Sequence, residues 1–458
     1  MTRLRWLIPA LALGTLLPVE GYAQKFKDSK YTKDADKFIG LAMTRPDRPS
    51  RQEMYRQALA ALQEGFVKEP DNAKLWYVAG QAHAGAGDYV AADSCFDKAL
   101  SMHEAIAADI EAERESAWLD AFQAGVELMD ANDPDGALVV LTGAQMLYDK
   151  RPEALLNIGS IYANKGDLES AERAFEQAIA ATRGEMYAKL DSAGQLQWQG
   201  YAELSTLNIA QMRGTRGVDA FSAGNYDLAA EMFGKAIELN PYSRDYHFNR
   251  LQATYAKASE LEKQHEAAPT DAAVKTELQG LYARLLTEIP KVKEFDPTAE
   301  NLELIRMRAV KREGELKGDT LAARQAALKI LEDLELMPLE VRELSITPGE
   351  DGATVTVAGK IKNRTLANGS NVSVEITLMG SKGETVALLS FAVTAAESAK
   401  DFVTACMNDE ARKTQFPDEL SRNTFCREQS DETAVKPFEQ SGELTGQIAG
   451  WKYTVKGS

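Results

Sequence analysis

Cysteine, histidine and positive charge are all scarce in this chain. It has three cysteines and four histidines in 458 residues, and 52 Lys and Arg against 69 Asp and Glu leave a net charge of -17. That balance repels nucleic acid and anionic lipid and argues against a basic binding stripe. His83, His103, His247 and His265 are scattered through helical segments, and the pair His103 and Glu104 lacks the second histidine that would complete a zinc-peptidase motif. Neither a phosphate-binding G-x-x-x-x-G-K-S/T nor a nucleophile-elbow G-x-S-x-G occurs. Acidic runs such as "EAERE" read as solvated helix face rather than paired catalytic carboxylates. The expectation is a non-enzymatic protein without cofactor or metal.

An apolar run long enough for a membrane anchor is also missing at the amino end. The stretch from Trp6 to Val19 is shorter than the roughly 20 residues a span needs and carries Pro9 and Pro18. Arg3 and Arg5 precede it, and Gly21 and Ala23 follow at the small-residue positions of a cleavage site. This order reads as a secretory signal peptide over residues 1–23, cut after Ala23. No cysteine lies near the cut, so a lipid anchor is not expected. The mature protein is expected to be exported, periplasmic or secreted, most simply in a bacterial envelope, with no stable membrane span after cleavage. Cys406 and Cys426 are candidates for a disulfide in that compartment, while Cys95 beside Phe96 reads as a small buried hydrophobe.

What the chain does have is recurrence. In and just before "NIGSIYANKGDLESAERAFEQAI", residues 157 to 179, Leu155, Ile158, Gly159 and Tyr162 share one helical face, "NKGD" breaks the helix, and Ala171, Phe175 and Ala178 form the face of a second helix. Ala121, Ala124, Gly125, Leu128, Ala137, Leu141 and Ala144 lie 34 residues before the corresponding positions. An earlier copy holds Trp76, Gly80, Gly87, Ala92, Phe96 and Ala99, preceded by a half copy with Ala58, Leu62, Gly65 and Pro70. A later one holds Gly217, Ala220, Gly224, Ala229, Phe233, Ala236 and Pro241. "KGDTLAARQAALKIL" at 317 to 331 repeats the second-helix pattern with Ala323 and Ala327. This spacing resembles the 34-residue tetratricopeptide repeat, in which small residues let two helices approach and large ones fill the gaps. The resemblance spans residues 39–337, after a lead-in at 24–38, and implies an α-solenoid of six to seven hairpins. Two spacings are longer: Trp76 to Ala121 is 45, leaving about 11 extra residues, and Leu155 to Arg213 is 58, leaving about 24. Such insertions are expected to lengthen or add a helix.

At Met337 and Pro338 the period changes to alternation. Val355, Val357 and Ile361 point one way, as do Val372, Val374, Ile376 and Leu378, and the runs are separated by "PGEDG", "NGS" and "GSKG" turns. With further strands expected at 339–347, 385–393 and 450–456, residues 338–458 read as a small antiparallel β-sandwich, interrupted at about 397–435 by an irregular or helical insertion. The segment resembles the FxLyD family of extracytoplasmic β-sandwich domains, with "ITLMG" at 376 to 380 in the place of its signature and Leu378 as the surviving defining residue.

The repeat family implies a function. Its first helices line a groove for an extended peptide or a partner helix, which by position gives Tyr77, Gln81, Phe122, Val126, Leu156, Ser160, Phe221, Phe248 and Gln252 as partner-binding residues. The alternative for the aromatic ones, that inserted helices cover them, stays open. The Lys and Asn clamp with which some relatives hold a terminal carboxylate is absent: Tyr77 and Gln81, then Phe122 and Val126, stand in its place. The resulting expectation is a scaffold that binds other envelope proteins. A second reading makes the β domain a glycan-binding module, for which Trp451 and Tyr453 would have to form an exposed platform.

Overall fold

The computed structural model describes residues 26–457, so the proposed signal peptide lies outside the described residues. The chain separates into two compact units, Met1–Ala202 and Glu203–Ser458. The division falls inside a helix of the repeat region, so the last helices share a unit with the β-strands.

In the first unit, helices pair as hairpins: α1 (Lys30–Ala42) with α2 (Arg48–Lys68), α3 (Ala73–Ala86) with α4 (Tyr89–Met102), α5 (Ala107–Asp130) with α6 (Pro134–Leu147), and α7 (Glu153–Asn164) with α8 (Leu168–Ala181). The half copy read from sequence is complete, because its first helix begins at Lys30 inside the stretch taken as a lead-in; Ser29 and Thr32 close a capping box there. The last three of these hairpins are each drawn together at a glycine. A Cβ on Gly80 would lie 2.6 Å from the Phe96 ring, one on Gly125 2.5 Å from Leu141, and one on Gly159 2.8 Å from Phe175. These large partners are buried completely or nearly so, so the missing side chain on one helix is the space filled by the other. The turns share one chemistry as well. Gly87, Asn132 and Gly166 have positive φ, and the aspartate after each, Asp88, Asp133 or Asp167, accepts a hydrogen bond from the backbone three residues on to start the second helix.

Both long spacings lengthen first helices backward. The extra residues before the third hairpin form a short 3-10 turn (Glu104–Ile106) and the opening turns of α5. Those after α8 form α9 (Glu185–Lys189) and the opening turns of α10 (Ser192–Ser222), whose remainder belongs to the second unit.

The second unit continues with α11 (Tyr226–Leu239), α12 (Arg244–Ala267), α13 (Ala272–Lys293), α14 (Glu300–Lys317) and α15 (Thr320–Glu335). Among the described residues the helices thus make seven hairpins. The end of α10 and α11 still follow the repeat, with Gly217 against Phe233 at 2.8 Å. In α12 to α14 the packing changes. Leu251, Leu278, Tyr282, Leu285 and Leu302 form the apolar core, and within it the buried Glu262 accepts from the Tyr282 hydroxyl at 2.5 Å and the Arg312 Nε at 2.6 Å and pairs with Arg308.

Six strands follow: β1 (Leu339–Pro348), β2 (Thr354–Asn363), β3 (Asn371–Met379), β4 (Thr385–Thr394), β5 (Val435–Glu443) and β6 (Gly450–Gly457). They form two antiparallel three-stranded sheets, β1-β2-β5 and β4-β3-β6. Val355, Val357, Ile361, Val372, Val374, Ile376 and Leu378 are all buried between them, as alternation requires. The strand β5 was not legible, since "VKPFEQSGE" offers only Phe438 to the core. The insertion is helical: α16 (Ala399–Asn408), α17 (Glu410–Gln415) and α18 (Glu419–Thr433), with Cys406 bonded to Cys426.

Candidate functional site

The first-helix positions differ sharply in what covers them. On α3, the Tyr77 hydroxyl donates to Glu113 Oε1 at 3.1 Å and Gln81 Nε2 donates to the same oxygen at 2.7 Å. Glu113 belongs to the extra turns of α5. Phe26 meets the Tyr77 ring edge-on with centroids 5.7 Å apart, and burial followed by the Glu113 charge pushes the Tyr77 hydroxyl well above its usual range. The insertion has filled this part of the groove with the chain's own atoms. Trp76, read as a packing residue, tilts against Phe66 and donates its ring N–H to the Pro70 carbonyl at 3.2 Å.

On α7 the pattern repeats. Leu156 is buried and Ser160 donates to its carbonyl at 2.9 Å. Tyr201, on the extra turns of α10, is raised by burial and then by the charge of Glu153 at the start of α7. Arg151 binds Glu153 at 2.8 Å and Glu115 of α5 at 3.2 Å and lies over the Trp118 ring at 4.8 Å.

Between them, α5 is left open. The hairpin that follows it carries no insertion, and its stripe Leu119, Phe122, Val126 and Met129 is exposed at Leu119, at 48%, and half-buried at the other three. Phe122 stacks on the buried Trp118 with centroids 5.1 Å apart and planes 4° from parallel, so its ring is held in place. In the second unit, Val218 and Phe221 of α10 are exposed. Phe248 and Gln252 of α12 are half-buried, and the Arg244 guanidinium lies 4.6 Å over the Phe248 ring. Of the packing positions, Tyr162 is half-buried and Pro241 exposed; Ala92, Phe96, Ala137, Ala171, Phe175, Ala229 and Phe233 are inside.

Chemistry is sparse. Cys95 is buried and its thiol is pushed up to about 11 by that burial and by Asp88, which removes it as a nucleophile at neutral pH. Among the described residues no group of three His, Cys, Asp or Glu could hold a metal ion, and no helix is long and apolar enough to cross a membrane. The platform required of a glycan module is not formed: Trp451 and Tyr453 stack 6.2 Å apart, but Tyr453 is buried, its hydroxyl 2.6 Å from Asp296 and 2.7 Å from Thr298.

The second unit does hold a cleft of about 840 Å³ between the starts of α12 and α14 and the strands β1 and β6. Five carboxylates line it, and each has a partner. Asp245 and Asp296 take Arg244, Glu300 and Glu340 take Arg364, and Glu343 takes Lys360. This arrangement holds a surface in place; it does not present a free acid and base. The cleft and Glu113 were both missed from sequence, because each depends on residues far apart in the chain.

Comparison with known proteins agrees with the hairpins. Residues 50–109 and 128–193 match two tetratricopeptide-repeat family models; neither match reaches the β domain. A comparison with curated proteins finds no match. Among similar solved structures, YrrB, described as a TPR protein with an unusual peptide-binding site, is 16% identical over 46% of this chain and 86% of its own, with a TM-score of 0.23. The C-terminal part of a TPR repeat-containing protein from Cytophaga hutchinsonii is 15% identical over 67% and 96%, with a TM-score of 0.21. MamA of Desulfovibrio magneticus RS-1 is 19% identical over 46% and 96%, with a TM-score of 0.18. At scores this low, the family assignment rests on the repeat matches and on the glycine-keyed hairpins. On that basis the chain is a tetratricopeptide-repeat protein, an α-solenoid followed by small antiparallel sheets, of the kind that serves as a protein–protein interaction scaffold.

Proposed function

We propose that this protein is an exported, non-enzymatic scaffold that holds a segment of another envelope protein against α5. The observation that carries this reading is the contrast between neighbouring first helices. Glu113 and Phe26 occupy the face of α3 and Leu156 of α7 is buried, whereas no such cover lies on Leu119, Phe122, Val126 and Met129 among the described residues. Burying an apolar stripe of this kind contributes about 25 cal/mol per Å² before association costs are subtracted. Export is supported by the leader-like order of residues 1–23 and by the bond between Cys406 and Cys426, a pairing that persists in oxidising compartments.

Two measurements test the proposal. Amino-terminal sequencing of protein purified from its native host should begin at Gln24; a chain retaining Met1 in the cytoplasm would end the export part. Cross-linking of the envelope fraction, followed by purification, should recover a protein with wild type that a folded Phe122→Ala, Val126→Arg double variant loses. Recovery of the same protein by both would remove α5 as the binding surface.

A further inference from the structure

We propose that the cleft in the second unit is a separate docking site for an extended, basic and apolar peptide segment of a partner protein, which adds as a strand to the free edge of β1. This site goes beyond the reading of α5 and stands on different residues.

β1 lies at the end of its sheet and is bonded to β2 alone. The first half of the edge is already capped at one point: Thr298 Oγ1 accepts from the Val341 backbone N–H at 2.9 Å. Among the described residues, no backbone hydrogen bond from Glu343 to Pro348 reaches any segment other than β2. A strand edge left in this state carries donors and acceptors that an added chain can satisfy, which is how extended peptides join a sheet.

The cleft beside that edge fits a particular chain. Leu344, Ile346, Ile448 and Trp451 are half-buried and Leu304 is 41% exposed, so alternate side chains of an added strand would meet apolar wall. The remaining lining is acidic: Arg244 is the one cation among the lining residues, against Asp245, Asp296, Glu300, Glu340 and Glu343. The side chains of Asp245 and Glu343 are 66% and 64% exposed, so each keeps acceptor capacity for a lysine or arginine arriving from solvent. The bulge between Arg342 and Ser345 also sits here, with Glu343 at a φ of 51°. Bulges of this kind bend a strand and increase its twist at a sheet edge. An acidic or strongly polar peptide would meet like charge and an unfilled wall.

The test uses the full chain and a fluorescent peptide alternating lysine with valine over eight residues. Binding is followed by polarisation, with amide hydrogen exchange to locate it. The proposal predicts saturable binding, added protection within 344 to 347, and a loss of about tenfold or more when alternate peptide nitrogens are methylated to remove strand donors. A peptide with glutamate for lysine should bind more weakly still, and Glu343→Lys in the protein should weaken the lysine peptide by severalfold. Absence of binding, equal binding of the methylated peptide, or protection confined to residues outside β1 would each overturn it. Because methylation alters only the peptide, misfolding of the Glu343→Lys variant would leave that arm decisive.

Discussion

The two units pack their helices by different means. In Met1–Ala202 each of three hairpins closes a glycine against one large apolar side chain, and no carboxylate is buried among the described residues. In Glu203–Ser458, Glu262, Glu288, Asp296, Glu303 and Glu340 are all buried, held by arginine, lysine or tyrosine. The first arrangement is set by shape at fixed spacing, so it leaves a readable period. The second is set by pairing between residues 10 to 52 apart, as Tyr282 and Arg312 show on Glu262, and leaves none. Both family-model matches fall within the first unit, as this difference leads one to expect.

The comparison can be broken at its strongest point. Gly159→Leu would drive a side chain into the buried Phe175 ring and should cost about 3 kcal/mol or more by overpacking, read as a lowered denaturant midpoint. If steric fit is the cause, adding Phe175→Ala should restore part of the loss, a coupling a double-mutant cycle measures directly. Independent, additive losses would mean the pair is not a fitted unit.

In the second unit, Glu262→Gln should cost about 2–4 kcal/mol at neutral pH, because it strips a buried charge from partly exposed arginines. The pH dependence has a definite sign. Burial pushes Glu262 up, but the hydrogen bonds from Tyr282, Arg312 and Arg308 outweigh it, so its carboxyl sits below the usual range. Its contribution is then complete above the unfolded-state pKa of about 4.3 and is lost as pH falls through the lower folded-state value. The gap in Tm between wild type and Glu262→Gln should therefore hold from pH 7 to 5 and close below about pH 4. Glu303, lowered in the same way despite burial by Lys293 and Arg306, adds to the acid sensitivity of this unit. Glu288, raised chiefly by burial, works against it, since its protonation favours the folded state.

A smaller effect separates turns of the same sequence. "KGD" precedes both α8 and α15, yet Asp167 caps Ser170 at 3.1 Å while Asp319 makes no side-chain capping bond. Asp167→Ala should cost about 1 kcal/mol and Asp319→Ala a few tenths at most; equal losses would show that the motif acts through its charge at the helix start instead.

How much could be read from the chain follows from these forces. The hairpins from Trp76 to Pro241 were legible because glycine, alanine and phenylalanine recur at positions where contact distance decides. The strands β1 to β4 and β6 were legible from alternation, while β5 gives only Phe438 to the core and hid in a polar segment. The first helix was obscured because its face uses Tyr31, Ala35 and Phe38 rather than the repeat's residues. At the candidate surfaces, sequence placed Tyr77 and Phe122 at equivalent positions and could not distinguish them. What separates them is Glu113, 36 residues beyond Tyr77, delivered by an insertion whose direction only the folded chain shows.

The most direct test of the central claim is site-specific photocross-linking in the envelope of the native host, with the reactive side chain placed at Val126 of α5 or, for comparison, at Gln81 of α3. A partner band from Val126 and none from Gln81 is the predicted result, since Glu113 already holds the second position. Equal bands from both sites, or a band from Gln81 alone, would contradict the account.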